Sequence, residues 1–373
     1  MKARLGWKLV AMLWLLAYAG AAGAAGAADA PSFTLAPSWP KPLPHKWALG
    51  PIGGVAVDRR GHIWISQFVG TPAKGSLAEK LMADMTPDMK APPIIEFDQA
   101  GNVLRAWGGP GKGYDWPRGP HGLFVDHKGF VWIGGTWPNE DAEILKFTQD
   151  GRFVLQIGRT RESGGAASTD KLDRPANFTI DPKTNELYVA DGYGNRRVMV
   201  FDADTGNFKR MWGAYGKPPA DPRPDALDNY YHSDPVDPKG PPPERFNSPV
   251  HCAVVAKDGL VYVCDRTNAR VQVFRTDGTF VREFPFDRGP DGTKGQITDV
   301  ALWPDAKQTY LIAGGDEILV LRRSDGQLLS RSAGGPGELQ YLHLMAMDPE
   351  GNLYTGEVMK RVQKWVPTSR PRR

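Results

Sequence analysis

Short runs of alternating apolar and polar residues, each closed by an Asp/Asn/Gly turn, recur along this chain from one end to the other. The unit is clearest in HGLFVDHKGFVWIG from His121, where two alternating runs flank a tight turn and read as a β-hairpin. It returns as GGVAVDRRGHIWIS from Gly53, ANFTIDPKTNELYVAD from Ala176, HCAVVAKDGLVYVCD from His251, TDVALWPDAKQTYLIAG from Thr298 and HLMAMDPEGNLYTGE from His343. A third alternating strand, another Asp/Asn/Gly turn and a fourth strand follow, as in RRVMVFDADTGNFKRMWG and ARVQVFRTDGTFVREFPF.

Each unit therefore predicts a four-stranded meander. Such a sheet cannot bury both faces alone, and six of them packed around an axis give an all-β, six-bladed β-propeller. The last copy ends at RVQKWVPT without a fourth strand, whereas FTLAPSWP, residues 33–40, precedes the first copy and resembles one. The amino-terminal strand is expected to complete the final blade and close the ring. The propeller would occupy residues 29–366, with 1–28 a leader and 367–373 a frayed basic tail.

Turns between first and second strands and between third and fourth strands are short and share one end of each blade. The long segments, 71–92, 108–118, 158–174, 217–246 and 285–296, all fall at the other end. Long loops above a rigid scaffold are where binding and chemistry concentrate.

Composition narrows the setting. Lys2, Arg4 and Lys8 precede the apolar run LVAMLWLLAYAG and an Ala/Gly-rich stretch with A-x-A sites, the pattern of a secretory signal peptide. A periplasmic or secreted protein, with no membrane span after cleavage, is expected. The formal charge of +4 includes those three leader cations, so the remainder is close to neutral and offers no footprint for nucleic acid. Cys252 and Cys264, the only cysteines, flank the AKDG turn almost symmetrically, which places them together across a hairpin where a disulfide can form.

Candidate chemistry comes from one repeat position. Five residues before the end of each first strand stand Gly53, His121, Ala176, His251, Thr298 and His343, so histidine alternates with a small residue. Alternate blades of a six-membered ring are a third of a turn apart, and the first strands line the axis. Three imidazoles at one height would form a trigonal nitrogen site suited to zinc, at about 2.0–2.1 Å per bond, or to another nitrogen-liking divalent transition metal. His45, His62, His127 and His232 lack this pattern and read as loop or surface residues.

The ends of the second strands reach the same face, bringing Gln67, Phe68, Trp137, Tyr193 and Arg266 beside the site. A tyrosine can move a proton next to an oxygen, and an arginine can grip a carboxylate. Asp191, Asn195 and Arg197, and likewise Asp265, Asn268 and Arg270, have the spacing of loop-closing hydrogen bonds.

The repeat resembles the NHL type. PHGLFVD, VADGYGNRR, CDRTNARVQVF and the His343 blade together resemble the lyase part of the peptidylglycine α-amidating enzymes, over roughly residues 50–366. The resemblance implies a zinc lyase that cleaves peptidyl-α-hydroxyglycine to a peptide amide and glyoxylate. It implies zinc on His121, His251 and His343, proton removal by Tyr193, and an active-site arginine at Arg266. Where the family has a second arginine, after the second strand of the first blade, this chain has Phe68. The aspartate that helps hold a structural calcium is replaced by Leu344, which makes calcium doubtful here, and a methionine two places before the third histidine is replaced by Tyr341. The proline-rich insertion from Lys217 to Phe246, with Tyr230 and Tyr231, would cover the site as a lid.

Two rival readings follow from the same residues. One is a non-catalytic NHL propeller that binds a protein or glycan, and the other a lactonase-like hydrolase. The latter fits less well, because such propellers hold calcium on oxygen ligands and the equivalent positions here are imidazoles. For the lyase reading the expected partner is a small-molecule or peptide substrate, acted on by a monomer.

Overall fold

Twenty-four strands form six four-stranded antiparallel sheets in the order the repeat predicts, each with its first strand innermost. The structure, a computed structural model, describes residues 29–371 except 73, 224, 227–232, 291, 293 and 333–337. The expected leader, and Tyr230, Tyr231 and His232 of the insertion, lie outside the described residues.

The turn after each first strand explains the recurring Asp–Gly pattern. Asp126 Oδ1 accepts from the amides of Lys128 and Phe130, while its Oδ2 accepts from the Trp132 indole at 2.9 Å. Asp58 repeats this with Arg60, His62 and Trp64, and Asp348 with Glu350, Asn352 and Tyr354. One carboxylate thus caps the turn and fixes a large aromatic in the next strand. Gly129 and Gly351 close these turns at φ +85° and +86°, a region that favours glycine.

Apolar residues pack between neighbouring sheets. Trp64 and Ile94 of blade 1 meet Leu123, Ile133 and Phe147 of blade 2, and Tyr262 and Val271 of blade 4 meet Leu311 and Leu319 of blade 5. No blade has a complete core without its neighbour, so closing the ring matters. Phe33–Leu35 closes it, pairing with the strand Arg361–Pro367 of blade 6. The closing strand is shorter than residues 33–40 because Pro37 has no amide to continue the ladder. Trp39 turns instead into the core between blades 6 and 1.

The carboxy-terminal segment corrects the expectation of a frayed tail at 367–373. Pro367 ends a strand, Thr368 donates its amide to Ser32 O at 2.8 Å, and Arg370 donates to Glu350 O at 3.2 Å. Pairing with the amino-terminal strand ties this segment down. Cys252 and Cys264 form the expected disulfide. Among the described residues, no helix is long and apolar enough to cross a membrane.

A buried acid in blade 3 gives a stability test. Glu186 accepts from Arg210, Tyr188 and Lys209, and the Arg210 guanidinium beside it lowers its pKa from 4.5 to about 2. That stabilisation is complete above pH 4.5 and is lost as the pH falls through 2. Glu186→Gln is expected to cost about 2 kcal/mol at pH 7 in chemical denaturation. The gap to wild type should shrink steadily below pH 4.5.

Candidate metal centre

The three repeat-position histidines meet on the axis. His121, His251 and His343 are buried, with ring centroids 4.3 to 5.2 Å apart, and each offers a ring nitrogen within 4.8 Å of the other two. A local irregularity aims each ring. In blade 4, Val250 pairs with Asp265 and Cys252 with Cys264, so His251 is the extra residue of a β-bulge. Blade 6 slips in the same way at His343, and blade 2 slips between Pro120 and Leu123. A bulge bends its strand and redirects a side chain, here toward the axis.

The odd blades fix the tautomers. His121 Nδ1 lies 2.6 Å from Ala176 O, His251 Nδ1 2.7 Å from Thr298 O, and His343 Nδ1 2.9 Å from Ile52 O. A carbonyl only accepts, so each Nδ1 carries the hydrogen and each Nε2 presents a lone pair to the centre. Burial, reinforced by the neighbouring imidazoles and Arg266, holds the pKa of His121 and His251 well below the usual imidazole range; burial also lowers His343, to about 4. All three rings are neutral at physiological pH, the form that binds a metal.

Tyr193 completes the cluster. Its hydroxyl stands 3.2 Å from His121 Nε2 and 3.0 Å from His251 Nε2, but one hydrogen can serve only one of those lone pairs. Converging acceptors with too few protons fit a cation, and carbonyl-oriented imidazoles are the usual outer shell of a nitrogen-bound metal. The donor set therefore fits a divalent ion that prefers nitrogen.

Arg266 sits at the rim of the same chamber. Its Nε donates to Gln296 Oε1 at 3.1 Å, and its Nη2 donates to the Tyr341 hydroxyl, with the guanidinium 5.5 Å from the Tyr341 ring centre. His121, His343, Tyr193, Arg266 and Tyr341 all line one cavity of about 520 Å³. Phe68 and Trp137 also line it, stacked at 5.5 Å with 17° between their planes.

Some of the neighbouring residues are placed differently from expectation. Gln67 does not face the cavity, because its amide is used by Gly50 N, Ala91 O and Pro92 O, where it braces the loop around it. The described residues of the 217–246 insertion do not line the cavity, and Tyr230 and Tyr231, on which the lid expectation rests, lie outside the described residues. Ser76, Leu77 and Ala78 do line the cavity, at the start of the helix Leu77–Met82 in the long 71–92 loop. Nothing in the sequence reading singled out that helix, although Ser76, which accepts from Glu79 N, with Glu79 three residues on, is a helix-start signal.

The Asp/Asn/Arg spacings are loop clamps, as expected. Asp191 accepts from Asn195 and Arg197, and Arg197 in turn donates to Ala166 O and Lys171 O of the 158–174 loop. Asp265 holds Asn268 and Arg270 likewise, and Arg270 donates to Arg245 O of the insertion.

Residues 246–274, the first three strands of blade 4, match the NHL repeat family model. The chain is a six-bladed propeller that carries one match to the NHL repeat and is similar to α-amidating enzymes and to an NHL repeat-containing protein. This propeller is 27% identical over 165 residues to the peptidylglycine alpha-amidating monooxygenase of Rattus norvegicus, a match covering 44% of this chain and 14% of that protein. A probable peptidyl-alpha-hydroxyglycine alpha-amidating lyase of Caenorhabditis elegans is 25% identical over 240 residues, covering 61% of the propeller chain and 56% of its own. The NHL repeat-containing protein 3 of Mus musculus is 28% identical over 303 residues, covering 74% and 73%.

Proposed function

We propose that this propeller is a zinc-dependent lyase that cleaves an α-hydroxyglycine derivative, peptide or smaller, to an amide and glyoxylate. The observation that carries the reading is the convergence of three neutral, carbonyl-oriented imidazoles with a tyrosine hydroxyl in the cavity that Arg266 borders. The ligands would be His121, His251 and His343, leaving a fourth position for an oxygen of the substrate or solvent. Another divalent ion that accepts nitrogen suits the same donors, and calcium does not.

When bound, such an ion polarises a contacting oxygen and lowers the pKa of groups beside it. Arg266 would pair with the carboxylate of the hydroxyglycine and set its orientation. Tyr193 Oη, acting as a base in its deprotonated form, would take the proton from the substrate hydroxyl. As that C–O bond becomes C=O, the N–Cα bond breaks and its electron pair goes to nitrogen. The same tyrosine oxygen then returns the proton to the amide nitrogen, so neither oxidant nor water is consumed.

The Cys252–Cys264 disulfide and the leader pattern support a periplasmic or secreted location. A second reading has one specific support: the match to an NHL repeat-containing protein spans more of this chain than the matches to the amidating enzymes cited above. A non-catalytic propeller would explain the fold equally well and would carry no stoichiometric metal.

The lyase reading predicts glyoxylate release from N-acetyl-α-hydroxyglycine above the spontaneous rate. A chelator should abolish that release and added zinc restore it. No release from the zinc-replete protein would remove the lyase assignment.

A further inference from the structure

The aromatic part of the cavity lining has no role in the chemistry above. Phe68 from blade 1 stacks on Trp137 from blade 2, and Ile52, Leu77 and Val358 extend the surface they make. Arg118 lies 4.4 Å from the Trp137 ring and pairs with Glu140 at 3.1 Å, while Asp141 accepts the Trp137 amide at 2.8 Å. The indole is therefore held from its backbone and beside a cation, so the wall is preformed. Among the described residues, histidines aside, Arg266 is the only charged side chain lining the cavity.

A charged group packed on these rings would lose water, and Arg118, the cation beside Trp137, is already paired with Glu140. An apolar group would gain by burial, and a flat one would gain further by stacking. We infer that the substrate carries an apolar acyl group, aromatic or alkyl, on the nitrogen side of its hydroxyglycine, packed against Phe68 and Trp137. This rests on the proposed lyase reading for the position of the hydroxyglycine, with its carboxylate at Arg266, and makes Phe68 and Trp137 specificity-determining residues.

The test uses two ligands that lack the hydroxyl and cannot react, N-(3-phenylpropanoyl)glycine and N-acetylglycine, titrated calorimetrically into the metal-bearing protein. The phenylpropanoyl compound should bind roughly 10- to 100-fold more tightly, the gain expected for burying a phenyl group. Trp137→Ala and Phe68→Ala should each cut that ratio to about threefold or less while leaving N-acetylglycine affinity nearly unchanged; Trp137→Phe should restore most of it. Thermal midpoints check folding, and Phe68→Leu replaces any alanine variant that fails to fold.

Equal affinity of the two ligands for wild type overturns the inference, as does an unchanged ratio in the folded variants. Failure of both ligands to bind overturns it as well. A preserved ratio without glyoxylate release from a hydroxylated phenylpropanoyl substrate removes the lyase reading and leaves the apolar pocket standing.

Discussion

His251→Ala should leave the fold intact and strip the protein of the metal proposed for the axial site. His251 is wholly buried, and its ring is held by Thr298 O on one side and faces His121, His343 and Tyr193 on the other. Two imidazoles then remain, and the loss of a direct ligand should exceed the roughly 10- to 100-fold cost of disturbing outer-shell partners. Elemental analysis of purified wild type and variant reads the effect directly, with circular dichroism showing that the sheets persist. Lyase activity should disappear along with the metal. His62→Ala is the control. His62 also belongs to a cluster with ligand spacing, Asp58–His62–Glu96, but Arg60 pairs with both carboxylates and Arg105 pairs with Glu96. Those guanidiniums already satisfy the charge, so metal content should not change. Retention of metal by His251→Ala, or its loss in His62→Ala, would overturn the assignment of the axial site.

The blades were legible because each carries the same physical instructions: alternation for two-faced strands, Asp to cap a turn, Gly where the turn needs positive φ. The convergence of the histidines was legible for a related reason. A repeat turns a sequence offset into a fixed height along the axis, so three histidines at one offset in alternate blades must meet. The contribution of the odd blades was concealed, since Ala176, Thr298 and Ile52 act through backbone carbonyls that any residue type supplies. The β-bulges that turn the rings inward were hidden for the same reason, as they are departures in pairing register. Loops were read least well. The length of the 217–246 insertion suggested a lid, yet its described residues do not line the cavity while residues 76–78 do, since loop direction is set by clamps such as Arg270 to Arg245 O rather than by length.

Tyr193→Phe separates proton transfer from architecture. Phenylalanine keeps the ring that packs against His121 and His251, at 5.3 and 5.6 Å between centres, and keeps the backbone carbonyl that Arg174 and Ser248 bind. Only the hydroxyl 3.0 and 3.2 Å from two Nε2 atoms is lost. Metal content and folding should match wild type, whereas kcat should fall by about 10²- to 10⁴-fold, the range for removing a positioned acid–base group. KM should change little, because Arg266 and the apolar wall still hold the substrate. A hydroxyl that served only to brace the histidines would give the opposite pattern, with weaker metal retention and normal turnover once metal is saturating. The pH profile distinguishes the two further: the limb of kcat that reports tyrosine ionisation should vanish in the variant if Tyr193 carries the proton. Full activity in metal-saturated Tyr193→Phe would take the proton from this residue and leave the imidazole trio as the part of the site still supported.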